Sequence, residues 1–109
     1  MNETNYEIAL QLIMSAGDAK ADSMSAIKAA RAGDFEAAAD LLQKAEGKMR
    51  DAHQLQINLI QQEAGGQPVE VNIILVHAQD HLTMAMTAQD MAEEMIQLYQ
   101  MIHKEKETV

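Results

Sequence analysis

A short polar run, His77-Ala78-Gln79-Asp80-His81, interrupts a strongly hydrophobic stretch of the sequence. Residues three or four positions apart share a helix face, so on a helix His77 lies beside Asp80 and His81, whereas Gln79 points towards the other side. A neutral imidazole can act as a nucleophile, a general base or a metal ligand. A carboxylate can bind a proton or a divalent cation. The run therefore has the side chains for phosphoryl transfer, acid–base chemistry or metal binding.

The same side chains also have interpretations that involve no chemistry. A histidine in a helical core bonds one ring nitrogen to a backbone carbonyl, and an aspartate at a helix edge reaches solvent. Two histidines at this spacing occur in zinc proteases, but that motif has a glutamate directly after its first histidine, where this sequence has Ala78. Of the other histidines, His53 lies either beside the cluster or in solvent, and His103 is expected at the surface.

Asp80 has no cation close to it in the sequence. The Lys and Arg residues nearest to His77 are Arg50 and Lys104, which each lie 27 positions away. If copies of this helix met on a symmetry axis, the copies of Asp80 would converge and repel one another. Such a set must bind protons or a divalent cation.

Two breaks separate the elements that must position this cluster. Gly33 can take the left-handed conformation that ends a helix, and Asp34 is a good N-cap for the next one. The second break, residues 65–68, has the composition of a loop. Three segments with the helical period remain, at roughly 4–32, 34–64 and 71–105. Short connections between long helices predict an all-α fold, an antiparallel three-helix bundle in which residues 1–109 form a single domain.

The packed faces of the first two segments follow from residues that alternate by three and four. In the first segment they are Ile8, Leu12, Ala16, Ala19, Ser23, Ile27 and Ala30. In the second they are Phe35, Ala38, Leu42, Ala45, Met49, Ala52, Gln56 and Leu59. The β-branched stretch from Val69 to Val76 has no partner strand, so we interpret it as a loop followed by the start of a helix.

The third segment is apolar on more than one face. One unbroken stripe predicts the seam that packs in the bundle: Ile74, His77, His81, Met84, Ala88, Met91, Met95, Leu98 and Ile102. Further apolar residues lie beside it, more than a three-helix bundle can cover. The excess predicts burial against another copy of the chain, with a groove for a partner helix as the alternative.

Composition and charge exclude several classes of function. The 109 residues carry a net charge of −9, so binding to nucleic acid or to an anionic membrane surface is not expected. The chain has no cysteine, which excludes disulfides, thiolate zinc sites and thiol nucleophiles. Neither a signal peptide nor a membrane span is expected, and the cytoplasm is the expected location.

The residues from Val76 to Leu82, on the third of three helices, resemble the enzyme IIA component of the lactose/cellobiose/chitobiose group of the bacterial sugar phosphotransferase system (PTS). The resemblance covers nearly the whole chain. It also includes the Ala30-to-Phe35 turn, Ala52-His53, the Gly65-Gly66 loop and the region from Asn72 to Met84.

The resemblance implies a symmetric homotrimer that acts as a phosphohistidine carrier. His77 would accept a phosphoryl group from the histidine phosphocarrier protein and pass it to the cysteine of the IIB component. The imported sugar would be a disaccharide such as cellobiose, chitobiose or lactose, taken up through a membrane IIC component. Gln79 and His81 would be neighbours of the active site. The three copies of Asp80 would hold one divalent cation, Mg²⁺, on the trimer axis.

Two other functions stay open on the residues alone. His77, Asp80 and His81 could form a metal site in an oligomeric helical protein that transfers no phosphoryl group. The polar cluster could also only set the register of a helical interaction module.

Overall fold

The computed structural model describes residues 2–108, which form three helices and two connections. The helices are α1 (Glu3–Arg31), α2 (Phe35–Ala64) and α3 (Ile73–Thr108). The longer connection, residues 65–72, reaches at most about 29 Å, whereas α2 is about 45 Å long. Successive helices therefore run antiparallel, in a rod of 62 × 20 × 19 Å. The predicted all-α bundle is confirmed, and residues 2–108 contain no strand.

Side chains of the preceding residues cap the starts of α2 and α3. Asp34 Oδ1 accepts a hydrogen bond from the backbone N–H of Ala37 at 3.1 Å, as predicted for an N-cap. Asn72 Oδ1 accepts one from the N–H of Leu75 at 3.0 Å. The residues from Val69 to Val71 precede this cap and are not helical. The cap at Asn72 thus determines where the helix that carries the polar cluster begins.

The first turn depends on Gly33, whose φ is +85°. This left-handed conformation lets the N–H of Gly33 bond to the carbonyl of Ala30 at 3.0 Å, and the N–H of Asp34 to that of Ala29 at 2.9 Å. Both bonds satisfy carbonyl groups that the end of α1 would otherwise leave unpaired. The predicted break at Gly33 is confirmed.

Alanine lines most of the bundle core. The buried alanines are Ala9, Ala16, Ala19, Ala26 and Ala30 of α1, Ala38, Ala45 and Ala52 of α2, and Ala78, Ala85 and Ala92 of α3. Leu12 and Leu82 are the largest apolar side chains that are fully buried. The predicted α1 and α2 faces are confirmed, because every residue in them is buried or half-buried. Small side chains let the helices approach closely.

The prediction that this stripe of α3 packs in the core is wrong for the single chain. None of its nine residues is buried, and the buried residues are Leu75, Ala78, Leu82, Ala85, Ala92 and Ile96. This second stripe is displaced by one residue, about 100° around the helix. It is richer in alanine, so it fits closely against the alanines of α1. Both stripes have the 3-4 spacing, and periodicity alone does not distinguish them.

The exposed members of the predicted seam, together with Ile73, line a face that the single chain leaves largely uncovered. We call the apolar residues on it the exposed stripe: Ile73, Met84, Met91, Leu98 and Ile102. Their exposed fractions range from 42% to 80%. His77 and Asp80 lie between Ile73 and Met84 in the same spacing, and both are exposed. The polar cluster is therefore set into an apolar surface.

The C-terminal end of α3 passes the α1–α2 turn. The ring of His103 packs edge-on against Phe35, with ring centroids 5.5 Å apart. It also lies beside Gly33, since a Cβ there would be 3.6 Å from His103 Cε1. Residues 104–107 follow this contact and are all exposed, so the end of α3 extends past the α1–α2 turn.

Candidate functional site

His77 lies in the second turn of α3, just after the Asn72 cap. Its side chain is exposed, so its ring is accessible to another protein. This placement excludes the interpretation of His77 as a core histidine in the single chain.

The two imidazoles of the cluster contact each other directly. His77 Nε2 and His81 Nε2 are 3.1 Å apart, within hydrogen-bond distance. Their rings are nearly perpendicular, at 87°, with centroids 4.5 Å apart. In a neutral pair one ring donates its Nε2–H and the other accepts with an Nε2 lone pair. The structure thus brings together the two histidines that the sequence placed on one face.

An open groove between α1 and α3 surrounds His77. We call it the His77 groove; it is lined by Tyr6, Leu10, Ile13, Ile73, Ile74, Val76, His77 and Asp80. Six of these eight residues are apolar or aromatic. Of the described residues that line it, none is Lys or Arg. The groove therefore presents an exposed imidazole on an apolar surface, and the described residues that line it carry no cationic side chain.

Asp80 is exposed and lies on the same side of α3 as His77. Within residues 2–108, no three His, Asp or Glu side chains come close enough to share a metal ion. Mg²⁺ prefers oxygen ligands, so the carboxylate of Asp80 fits that ion chemically. One copy of the chain supplies too few ligands, and a magnesium site here requires carboxylates from several copies.

Gln79 does not face His77 in the single chain. Residues two positions apart on a helix point about 200° away from each other, and Gln79 points towards α2. There its Oε1 accepts a hydrogen bond from Gln56 Nε2 at 2.6 Å. The spacing of α2 placed Gln56 on the packed face but did not predict this bond. The only available signal was that Gln56 is polar in an otherwise apolar stripe.

The other two histidines lie away from the cluster. His53 is exposed and borders a groove with Arg50, Met86 and Asp90, on the α2 side of α3. Of the two interpretations of His53, the solvent-facing one is confirmed, and His53 does not lie beside His77 in the single chain. His103 is at the surface, as predicted, and its Nε2 lies 3.5 Å from Glu107 Oε1. Of the candidate residues in the range 2–108, His77, His81 and Asp80 lie together and form the candidate site.

The sequence profile described as "PTS system, Lactose/Cellobiose specific IIA subunit" matches residues 7–100. The chain belongs to this IIA family of the phosphotransferase system. The lichenan-specific phosphotransferase enzyme IIA component of Bacillus subtilis strain 168 is 45% identical over 106 residues, which are 97% of this chain and 96% of that protein. The match extends over the whole bundle.

Solved IIA structures have the same fold. The PTS cellobiose-specific enzyme IIA from Bacillus anthracis superposes with a TM-score of 0.92 at 38% identity, covering 95% of each chain. A IIA(chitobiose) structure, solved in complex with HPr, has a TM-score of 0.81 at 32% identity, covering 94% of this chain and 99% of that one. In the described part of this IIA chain, no helix has the length and hydropathy of a membrane span.

Proposed function

We propose that this IIA chain carries a phosphoryl group on His77 during PTS uptake of a disaccharide such as cellobiose, chitobiose or lactose. The observation that carries the proposal is an exposed imidazole, hydrogen-bonded to a second one, on an apolar surface of a IIA-family chain. The donor is the histidine phosphocarrier protein HPr, as the HPr complex of a IIA relative supports. The acceptor is the cysteine of a IIB component, which acts with the membrane IIC component.

The transfer needs His77 Nε2 as a lone-pair donor. His77 then carries its proton on Nδ1, and His81 donates its Nε2–H to the lone pair. When the phosphorylated donor docks, His77 Nε2 forms a bond to phosphorus while the bond from phosphorus to the donor's ring nitrogen breaks. The second transfer reverses the roles, because the His77 ring leaves as the cysteine thiolate attacks. Positioning and charge neutralisation dominate such in-line transfers.

His81 is the hydrogen-bond donor that stays beside the reacting nitrogen. Once His77 Nε2 bonds to phosphorus, it can no longer accept the His81 N–H. That N–H is then free to bond to a phosphoryl oxygen on the same side. The described residues that line the His77 groove include no Lys or Arg, so the partners supply the positive charge that the phosphoryl oxygens require.

The assembly that we propose is a homotrimer with the exposed stripe buried between copies. The stripe is uncovered in the single chain, and Asp80 lies within it. The copies of Asp80 would hold one Mg²⁺, which would supply the positive charge that offsets their repulsion. Gln79 points away from His77 of its own chain, so it neighbours an active site only if that site belongs to another copy.

The test is phosphorylation of the purified chain by enzyme I, HPr and phosphoenolpyruvate, followed by intact-mass measurement. We expect one added phosphoryl group per chain, stable in alkali and lost in acid. His77→Ala should gain none while keeping the helical circular dichroism of the wild type. The matched control is His53→Ala, which replaces an exposed histidine of α2 away from the cluster and should be labelled normally. Labelling that persists in His77→Ala would contradict the proposal.

A further inference from the structure

We propose that His77 and His81 also form a chelating site for a divalent transition metal such as Zn²⁺. Metal bound there prevents His77 from accepting a phosphoryl group. The site differs from the proposed axial magnesium site in its ligands, which are two imidazole nitrogens rather than carboxylates. The blocking step rests on the proposed function, whereas the binding step does not.

The spacing of the two nitrogens carries the proposal. Two ligands of one tetrahedral zinc, each about 2.05 Å from the metal, are about 3.3 Å apart. The two Nε2 atoms are already 3.1 Å apart. Two histidines separated by one helical turn are also the spacing that helical zinc motifs use. The helix therefore holds both ligands at the required separation before any metal arrives.

Small movements convert the hydrogen-bonded pair into a chelate. Each ring must turn so that its lone pair points at a shared position rather than at the other nitrogen, and the χ2 torsion of histidine is soft. The Nε2 proton that the two rings share moves to Nδ1 of His81, so both Nε2 atoms become ligands. His77 is exposed and His81 half-buried, so water can complete the coordination.

The chemistry of the ligands selects the class of metal. Neutral imidazole favours zinc, copper and nickel, whereas magnesium and calcium prefer oxygen ligands. No third His, Asp or Glu in residues 2–108 completes the site. The pair is therefore a two-ligand site whose metal exchanges with solvent, rather than a closed structural centre.

Metal and phosphoryl compete for one lone pair. In the chelate His77 Nε2 donates its electrons to the metal, so it has none left to form the bond to phosphorus. The donor that would support a phosphoryl oxygen, the His81 N–H, is lost in the same step. Zinc occupancy and phosphorylation of a given His77 therefore exclude each other.

Titration of the chelator-treated protein with Zn²⁺ alone, followed by calorimetry, tests the binding step. We expect one zinc per chain and binding that is weaker by roughly tenfold or more in His81→Ala, because the second ligand acts at high effective concentration. His53→Ala and His103→Ala should bind zinc as the wild type does, and excess Mg²⁺ should not displace it. Equal affinity in His81→Ala, or loss of binding in His103→Ala, would overturn the proposal.

The blocking step is measured separately with purified phosphorylated HPr. Each chain is compared with itself, with zinc and with chelator, so that slow transfer in a variant is not mistaken for inhibition. Zinc should suppress phosphoryl transfer to the wild type and have much less effect on His81→Ala. Transfer to the wild type that is unchanged by saturating zinc would refute the block. If the chelator-treated wild type accepts no phosphoryl group, the proposed function fails, and the calorimetry still decides the binding.

Discussion

Because His77 and His81 share a hydrogen bond, the position of the proton on one ring determines whether Nε2 of the other ring has a free lone pair. In the proposed mechanism His81 carries its proton on Nε2, and that N–H points at the lone pair of His77 Nε2, 3.1 Å away. In the proposed transfer, the same N–H remains beside His77 Nε2 after the phosphoryl group has bound there. Substitutions at His81 can therefore distinguish the effect of its side-chain volume from the effect of its hydrogen bond.

Replacing His81 by Leu should slow phosphoryl transfer from HPr to His77 by about 10²-fold, because removing one donor from a developing oxyanion costs about that much. His81→Gln keeps an amide N–H and should recover part of the rate. Stopped-flow or quenched-flow phosphorylation measures both variants. Equal rates in the Leu and Gln variants would show that His81 donates no hydrogen bond that matters to transfer.

Ser23 is fully buried among the core alanines of α1, and its hydroxyl has no hydrogen-bond partner in residues 2–108. Ser23→Ala should raise the free energy of unfolding by about 1 kcal/mol, since an unsatisfied buried hydroxyl is removed. Ser25→Ala, at an exposed position two residues away, is the matched control for helix propensity. Urea unfolding followed by circular dichroism compares them, and an equal gain in the control would contradict this account.

At the level of elements, turns and pairs of side chains fix how the three helices meet. Gly33 makes the tight α1–α2 turn, and Lys48 of α2 donates a hydrogen bond to Asp22 of α1 at 2.7 Å. The second contact joins the middle of these helices, where the remaining contacts are mostly between small side chains. Each feature makes its own contribution to stability.

Gly33→Ala should lower the free energy of unfolding by about 1 kcal/mol, because a residue with a Cβ is strained at φ +85°. The nearest atom to that Cβ would be His103 Cε1 at 3.6 Å, an ordinary contact, so the cost comes from the backbone. Gly47→Ala is the control, since Gly47 lies within α2 and its Cβ would meet only Arg50 at 3.9 Å. Thermal unfolding should move in opposite directions for the two variants, because alanine favours a helix.

The Lys48–Asp22 pair should contribute stability that depends on pH. The hydrogen bond to Asp22 raises the pKa of Lys48 above its ordinary value of 10.5, with attraction from Asp22 and Asp18 in the same direction and desolvation opposing it. A raised pKa in the folded state means that the contribution is complete below pH 10.5 and is lost as the pH rises through the folded pKa.

Lys48→Met should therefore be less stable than the wild type by less than about 1 kcal/mol at neutral pH, since the pair is partly exposed. Above pH 10.5 the difference should shrink. Urea unfolding of both proteins at neutral and alkaline pH provides the comparison. A difference that grows with alkaline pH would have the wrong sign.

At the scale of the whole molecule, the exposed stripe is an apolar surface of a kind that monomeric proteins seldom leave open to solvent. Five apolar side chains, each at least 42% exposed, line one side of α3. Contiguous patches of this kind mark surfaces that bind protein. In the proposed trimer they become the interior of the assembly.

Leu98→Asp should shift the protein from trimer to monomer, because Leu98 is 53% exposed and belongs to the stripe. A charge buried between copies is costly unless it is paired. Gln97→Asp, at the adjacent exposed position outside the stripe, is the control and should stay a trimer. Light scattering measures the mass against the 12.0 kDa of one chain. A monomeric wild type would contradict the proposed assembly, and a trimeric Leu98→Asp would exclude the stripe as its interface.

The sequence predicted the helices, their order and the shared face of His77 and His81, because glycine breaks, caps and periodicity are local signals. It did not predict which stripe of α3 packs inside the chain. Leu75-to-Ile96 and Ile74-to-Ile102 have the same spacing, and the choice depends on the fit against the alanines of α1. The Gln56–Gln79 bond was missed for a related reason, since it joins residues on different helices.

The C-terminal turns of α3 lie far from His77, so another group can be attached there without covering His77. His77 and His103 are 26 positions apart on one helix, a distance of about 39 Å along its axis. A fluorescent label, an affinity handle or a fused domain attached beyond His103 is thus at the far end of the rod from the reacting imidazole. Such an attachment leaves the His77 end of the rod open to a partner the size of a small domain. The protein can therefore be immobilised through the C-terminal end of α3 while binding and the proposed phosphoryl transfer at His77 are measured.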